Sequence, residues 1–181
     1  MGVITHADLN LQPTRDDWLS PSLHQIGGTA SLSIVRAATL VVAANDASDT
    51  FKAQADYICG STAANVQIQA ALDALPAGGG LVLLSEGNFD IAAQINMTTY
   101  DKLFGMGITA TMLNNTISGG GYVIKVDGAT DVETGDFGIS GGTGGIWWAS
   151  GANGVYYSSL RNIYFTGQTS VGFKYDGRWY N

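Results

Sequence analysis

Four carboxylates crowd one short stretch of this chain: Asp127, Asp131, Glu133 and Asp136. In an extended segment Asp131 and Glu133 point to one face, because strand side chains alternate. Grouped carboxylate oxygens are what a calcium ion requires, so Asp131, Glu133 and Asp136 are the candidate ligands. The ordinary alternative is a solvated acidic face, and the loop spacing of an EF-hand is absent. A second candidate is Gly138-Ile139-Ser140-Gly141-Gly142, a literal G-x-S-x-G, which in hydrolases places a nucleophilic serine on a turn between strand and helix. No helical pattern follows it, and the two histidines, His6 and His24, lie far upstream. A Ser-His-Asp site would need the N-terminal segment to fold back. No residue is therefore assigned a catalytic role.

Aromatic residues gather in the last third of the chain: Trp147-Trp148, Tyr156-Tyr157, Tyr164, Tyr175, Trp179 and Tyr180. Neighbours on a strand face opposite ways, so one member of each pair is expected in the core and the other outside. An outward aromatic can stack on a sugar ring or pack against another subunit. Trp147, Trp148, Tyr156, Tyr157 and Trp179 are the candidates for either use. Asn96-Met97-Thr98 and Asn114-Asn115-Thr116 match the glycosylation pattern, but without a secretion signal they read as turn asparagines. The single cysteine, Cys59, allows no intrachain disulfide and reads as a small core residue.

The bulk numbers narrow the classes. A length of 181 residues suits one domain plus an arm, and 45% apolar residues can fill a core. Glycine is abundant at 25 residues and proline scarce at 3, which suits strands joined by tight corners. A net charge of −7 with 8 scattered basic residues argues against a nucleic-acid partner. No apolar run approaches the ~20 residues of a membrane span, and the start of the chain carries no secretory signal. No cofactor is expected.

The elements that must position these residues follow from periodicity. Residues 1–38 hold both histidines, Pro13, Pro21 and Asp16-Asp17-Trp18 with little pattern, the composition of an arm or adaptor, with one short strand at Ser31–Val35. Thr39–Ala44 reads as a strand, Thr50–Ala55 as a helical turn and Asp56–Cys59 as a second strand. Ile68, Ala71, Leu72 and Leu75 recur at i, i+3, i+4 and i+7, predicting an amphipathic helix at about 63–75 with Thr62 or Asn65 as N-cap. Pro76 and Gly78-Gly79-Gly80 stop it. Leu81-Val82-Leu83-Leu84 is apolar on both faces, and the preceding helix is the expected cover. Asp136–Gly141 and Asn162–Gly167 repeat in character 26 residues apart, with Lys102–Gly107 as a weaker third copy. This is the pattern of an all-β solenoid, and about four coils of 20 to 30 residues fit after Leu81.

The order of the A-D-Y-I-C strand, I-Q-A-A-L-D-A-L helix, P-A-G-G-G break, V-L-L strand and E-G-N-F turn resembles the N-terminal cap and first coil of the pectin-lyase-like right-handed parallel β-helix family, which includes phage tail spikes. The resemblance covers residues 39–113 best. It implies an all-β fold, a capped right-handed parallel β-helix over 39–181, preceded by the irregular arm. Lyases of that family use calcium and a basic residue, commonly arginine; Arg161 and Arg178 are the arginines available after residue 38. Polygalacturonases of the family use paired aspartates with a histidine nearby, and no such pair or histidine stands in that part of this chain. The expectation is a structural or receptor-binding component of a surface assembly, tail-spike or tail-fibre in type, located on a virion or an extracellular surface. A polysaccharide lyase or hydrolase is the alternative, and a filament-forming surface protein the second. The sequence offers no second capping helix, so the last coil is expected to be covered by a following segment of a longer chain or by other subunits, in a homotrimer or an end-to-end stack, with cell-surface polysaccharide as the partner and neither nucleic acid nor membrane insertion.

Overall fold

The structure, a computed structural model, describes residues 38–149 and 154–176. All but one residue of the expected arm, together with Trp179, Tyr180 and Arg178, lie outside the described residues. In chain order the elements are β1 (Thr39–Ala43), α1 (Asp49–Lys52), β2 (Tyr57–Ile58), α2 (Asn65–Asp73), β3 (Gly80–Leu84), β4 (Gly87–Ile91) and β5 (Ile95–Met97). There follow β6 (Asp101–Phe104), β7 (Thr111–Asn115), β8 (Tyr122–Asp127), β9 (Glu133–Ser140), β10 (Gly144–Ala149), β11 (Ser159–Thr166) and β12 (Val171–Asp176). Among the described residues the fold is mostly β, 48% strand against 10% helix, and its parallel sheets curl into a half-barrel.

Every strand pair is parallel. One sheet runs β2-β1-β3-β6-β9-β7-β4 with β11 beside β9, and the other runs β12-β10-β8-β5. Successive chain segments therefore return to the same sheet positions. The 26-residue repeat is real in register: Phe137 lies against Ile163, Ile139 against Phe165 and Ser140 against Thr166. The third copy is offset. Leu103 pairs with Thr134, in the first half of β9, whereas Leu113 pairs with Ile139 in the second half. The corner between β6 and β7 carries extra residues that β9 replaces with a single bend at Asp136, φ 61°. β11 bends at the matching Asn162, φ 46°, and Asn162 Nδ2 donates to Asp136 Oδ1 at 3.0 Å. Asn and Asp enter the left-handed region more cheaply than other residues, which suits them to these bends.

Register turns alternation into like-on-like columns. Phe89, Leu113 and Ile139 stack fully buried in one sheet, and Ile95, Ile124 and Ile146 in the other. Each such side chain contributes roughly 1.5–3 kcal/mol by leaving water. The columns open toward the last described strands, where Phe173 is 37% exposed beside a fully buried Ile146. Thr134 breaks the column of Val82 and Leu103: it is fully buried and its hydroxyl has no hydrogen-bond partner.

α2 packs against β1, β2, β3 and β4 of the first sheet and β5 of the second, so it spans the space between the sheets at the β1 side. Ile68, Ala71 and Leu72 are its buried stripe, as the spacing predicts. Its start differs from expectation. Ala64 occupies the N-cap with no side-chain bond, and Asn65 instead accepts from the Ala92 and Ala93 amides at 3.0 and 3.3 Å, pinning the loop after β4. The outward side of β1 and β3 is also covered differently: Phe51 of α1, with Gln54, flanks Val41 and Leu83, while α2 sits across the end. Neither Asn-X-Thr motif is a turn. Asn96 lies in β5 and both Asn114 and Asn115 in β7. Asn115 is buried and donates to the Gly121 and Gly144 carbonyls at 3.0 and 2.7 Å. Asn114 donates to Asp90 at 3.0 Å and accepts from Ser140 at 2.7 Å in a polar ladder across the strands.

Candidate functional site

The corners that lead into β3, β6, β9 and β11 stack on one another because the strands do. With Gly80 opposite Asp101, Lys102 opposite Glu133 and Glu133 opposite Ser159, the corner residues Gly79, Tyr100, Asp131 and Tyr157 form a column. All four are left-handed, with φ of 77°, 72°, 55° and 50°. The amide of Tyr100 donates to the Thr130 carbonyl and that of Asp131 to the Tyr156 carbonyl, both at 3.0 Å, which holds the column together. Gly79 has to be glycine: a Cβ there would sit 2.2 Å from the Tyr100 carbonyl oxygen. Gly78–Gly80, Tyr100, Lys102, Asp131, Glu133 and Tyr157 line an open hollow of about 390 Å³. That is the size range of small-molecule sites.

Tyr157 is 89% exposed and Tyr100 45%. A bulky residue in the left-handed region costs about 1–2 kcal/mol, and at Tyr157 almost no burial offsets it. Strain of this kind concentrates where a side chain serves a site. Charge in the hollow is uneven. Lys102 Nζ pairs with Glu133 Oε1 at 2.5 Å, whereas Asp131 accepts from Thr130 Oγ1 at 3.2 Å and meets no cation among the described residues. Beneath this rim Asp101 is 4% exposed. Burial pushes its carboxyl pKa up, against the hydrogen bonds from the Thr98 amide and hydroxyl at 2.7 and 3.1 Å. Two tyrosine side chains, the bare glycine backbone and a carboxylate rim can hold a polar ring with C–H faces by stacking and by hydroxyl hydrogen bonds.

The structure brings Asp131 and Glu133 to one hollow, as alternation suggests, although Asp131 sits in the corner before β9 rather than on it. Asp136 stands elsewhere, bound to Arg161 at 3.3 Å and to Asn162. Among the described residues no three His, Cys, Asp or Glu are placed to hold a metal ion, so the calcium grouping of Asp131, Glu133 and Asp136 does not form. Arg161 faces solvent as expected and lies over the Phe104 ring, 4.4 Å from its centroid. Ser140 ends β9, donates to Asn114 and leads through Gly141 and Gly142 into strand β10, so its G-x-S-x-G is no nucleophile elbow. Cys59 is buried, and burial pushes its thiol up to about 12.

The aromatic pairs divide unequally. Trp148 turns inward against Phe173, ring centroids 5.5 Å apart, while Trp147 faces out. Trp147 is taken up by the protein itself. Lys125 and Lys174, on the strands either side, place their ammonium groups 4.8 and 4.9 Å from its ring centroid. Its indole N–H donates to Asp176 at 2.9 Å. The Lys174–Asp176 hydrogen bond draws the Asp176 carboxyl down and the Lys174 ammonium up. Tyr156 and Tyr157 break the expected rule of one in and one out, because they occupy a corner and not a strand; both are exposed. Of the aromatic candidates among the described residues, only Tyr157 reaches the hollow. Tyr100 is not distinguishable from the sequence, because nothing in a single residue type marks a left-handed corner, and Lys102 is brought to the hollow by the pairing of β6 with β9.

In comparisons with known proteins, no family model, no curated protein and no solved structure matches this chain.

Proposed function

We propose that the chain is a capped, right-handed parallel β-helix of the pectin-lyase-like kind and acts as a receptor-facing component of a surface assembly, tail-spike or tail-fibre in type. Its cleft between Tyr100 and Tyr157 binds polysaccharide. The observation that carries the reading is Tyr157, an aromatic side chain 89% exposed on a left-handed backbone, which lines one hollow together with a second exposed tyrosine. Packing gains nothing from that arrangement, whereas a stacking platform needs it. Parallel strands repeating at the same sheet positions supply a stiff support, and α2 closes one side of it. The proposal includes self-association into a homotrimer or an end-to-end stack, and a place on a virion or an extracellular surface. A glycan array carrying bacterial surface polysaccharides tests the binding. The expected result is capture of at least one polysaccharide that is lost in Tyr100→Asn/Tyr157→Asn. Capture of none, or capture that the double variant leaves intact, overturns the reading.

A further inference from the structure

We infer that this cleft selects glycans bearing a protonated amine, of the glucosamine type, over uronate-bearing ones; the inference rests on the saccharide reading above. Among the described residues the charges that line the hollow are Asp131, Glu133 and Lys102. Lys102 is engaged by Glu133, which leaves Asp131 as the carboxylate with no ion-pair partner among the described residues, stacked in the corner column between Tyr100 and Tyr157. A ring seated between the two tyrosines carries its substituents past that carboxylate. An ammonium there gains an opposite charge and two π faces, which attract cations. A uronate there meets two carboxylates and an ammonium that is already paired, inside a chain of net charge −7 that repels anions at longer range. The basic residues of the other sheet do not compensate. Lys125 and Lys174 are each bound to their own aspartate, Asp127 and Asp176, at 2.7 Å.

The test titrates the chain with three probes, a glucosamine tetramer, its fully N-acetylated counterpart and a galacturonate tetramer, in mildly acid buffer of low ionic strength where the amines are protonated. Asp131 is exposed, so the charge contributes about a two- to fivefold preference for the amine over the acetylated probe. Galacturonate binds weakest. In Asp131→Asn the amine and acetylated probes should bind alike, at the affinity the acetylated probe shows for the parent chain; in Tyr157→Asn all binding weakens. Equal binding of amine and acetylated probes by the parent chain, or tightest binding of galacturonate, overturns the inference and leaves the saccharide site standing, provided Tyr157→Asn still weakens binding. No binding of any probe overturns the inference and leaves the saccharide reading to the array, whereas binding that ignores Tyr157→Asn overturns both.

Discussion

Replacing Tyr157 with asparagine should leave the fold as stable as before or slightly more so, although it removes a large aromatic side chain. The ring is 89% exposed, so about a tenth of a tyrosine's ~200 Å² leaves water on folding, worth about 0.5 kcal/mol. Against this stands φ of 50°. A left-handed backbone costs an ordinary L residue about 1–2 kcal/mol, and asparagine recovers much of that through local hydrogen bonds. The balance is a gain of about 0.5–1 kcal/mol. The protein already uses this solution at the other bend, where Asn162 and Asp136 take the left-handed positions. Urea unfolding of parent and variant reads the difference, provided the slope is unchanged. A loss greater than about 1.5 kcal/mol would refute the reasoning, because truncation is that costly only for an aromatic with packed neighbours.

Three further outcomes follow from the core and its margins. Leu72→Ala, in the buried stripe of α2, should cost about 2–5 kcal/mol in the same titration; a loss below about 0.5 kcal/mol would place the stripe in water. Thr134→Val should be neutral or stabilising by up to about 2 kcal/mol, because it removes a buried hydroxyl that has no partner, and a clear loss would mean that the hydroxyl is hydrogen-bonded. Asp101→Asn tests the raised pKa of Asp101. Its folded pKa lies above the unfolded value, so its favourable contribution is present in acid and is lost as pH rises through the folded value. The asparagine variant, which keeps an oxygen for both Thr98 bonds, should be the more stable at neutral pH and converge with the parent as pH falls below the ordinary 3.8. Curves that stay parallel at every pH would contradict it.

Some of this was legible in the residues and some could not be. The 26-residue repeat was legible because Phe137, Ile139, Ile163 and Phe165 alternate with polar or small neighbours, and alternation survives folding as register. α2 was legible because Ile68, Ala71 and Leu72 share one helical face. The third repeat slipped because a corner of different length separates Leu103 from Leu113, and corner length leaves no periodic trace. Asn65 was mistaken for a cap because its preference for helix starts is local, whereas the amides of Ala92 and Ala93 that claim it arrive from β4. Trp147 is a candidate for sugar or subunit contact by sequence, and Lys125 and Lys174, which occupy it, reach it only across strands. The cleft was the least legible part. It depends on four corners stacking, and left-handed φ at Tyr100 and Tyr157 has no signature in residues that usually avoid it.

Residue-resolved hydrogen exchange, with and without the glycan that binds most tightly on the array, tests the central claim most directly. Binding in the cleft predicts new protection in the corner segments 78–80, 99–102, 130–133 and 156–158, where the amides of Tyr100 and Asp131 bridge successive corners. Protection centred on β8, β10 and β12 around Trp147, with the corners unchanged, would contradict it.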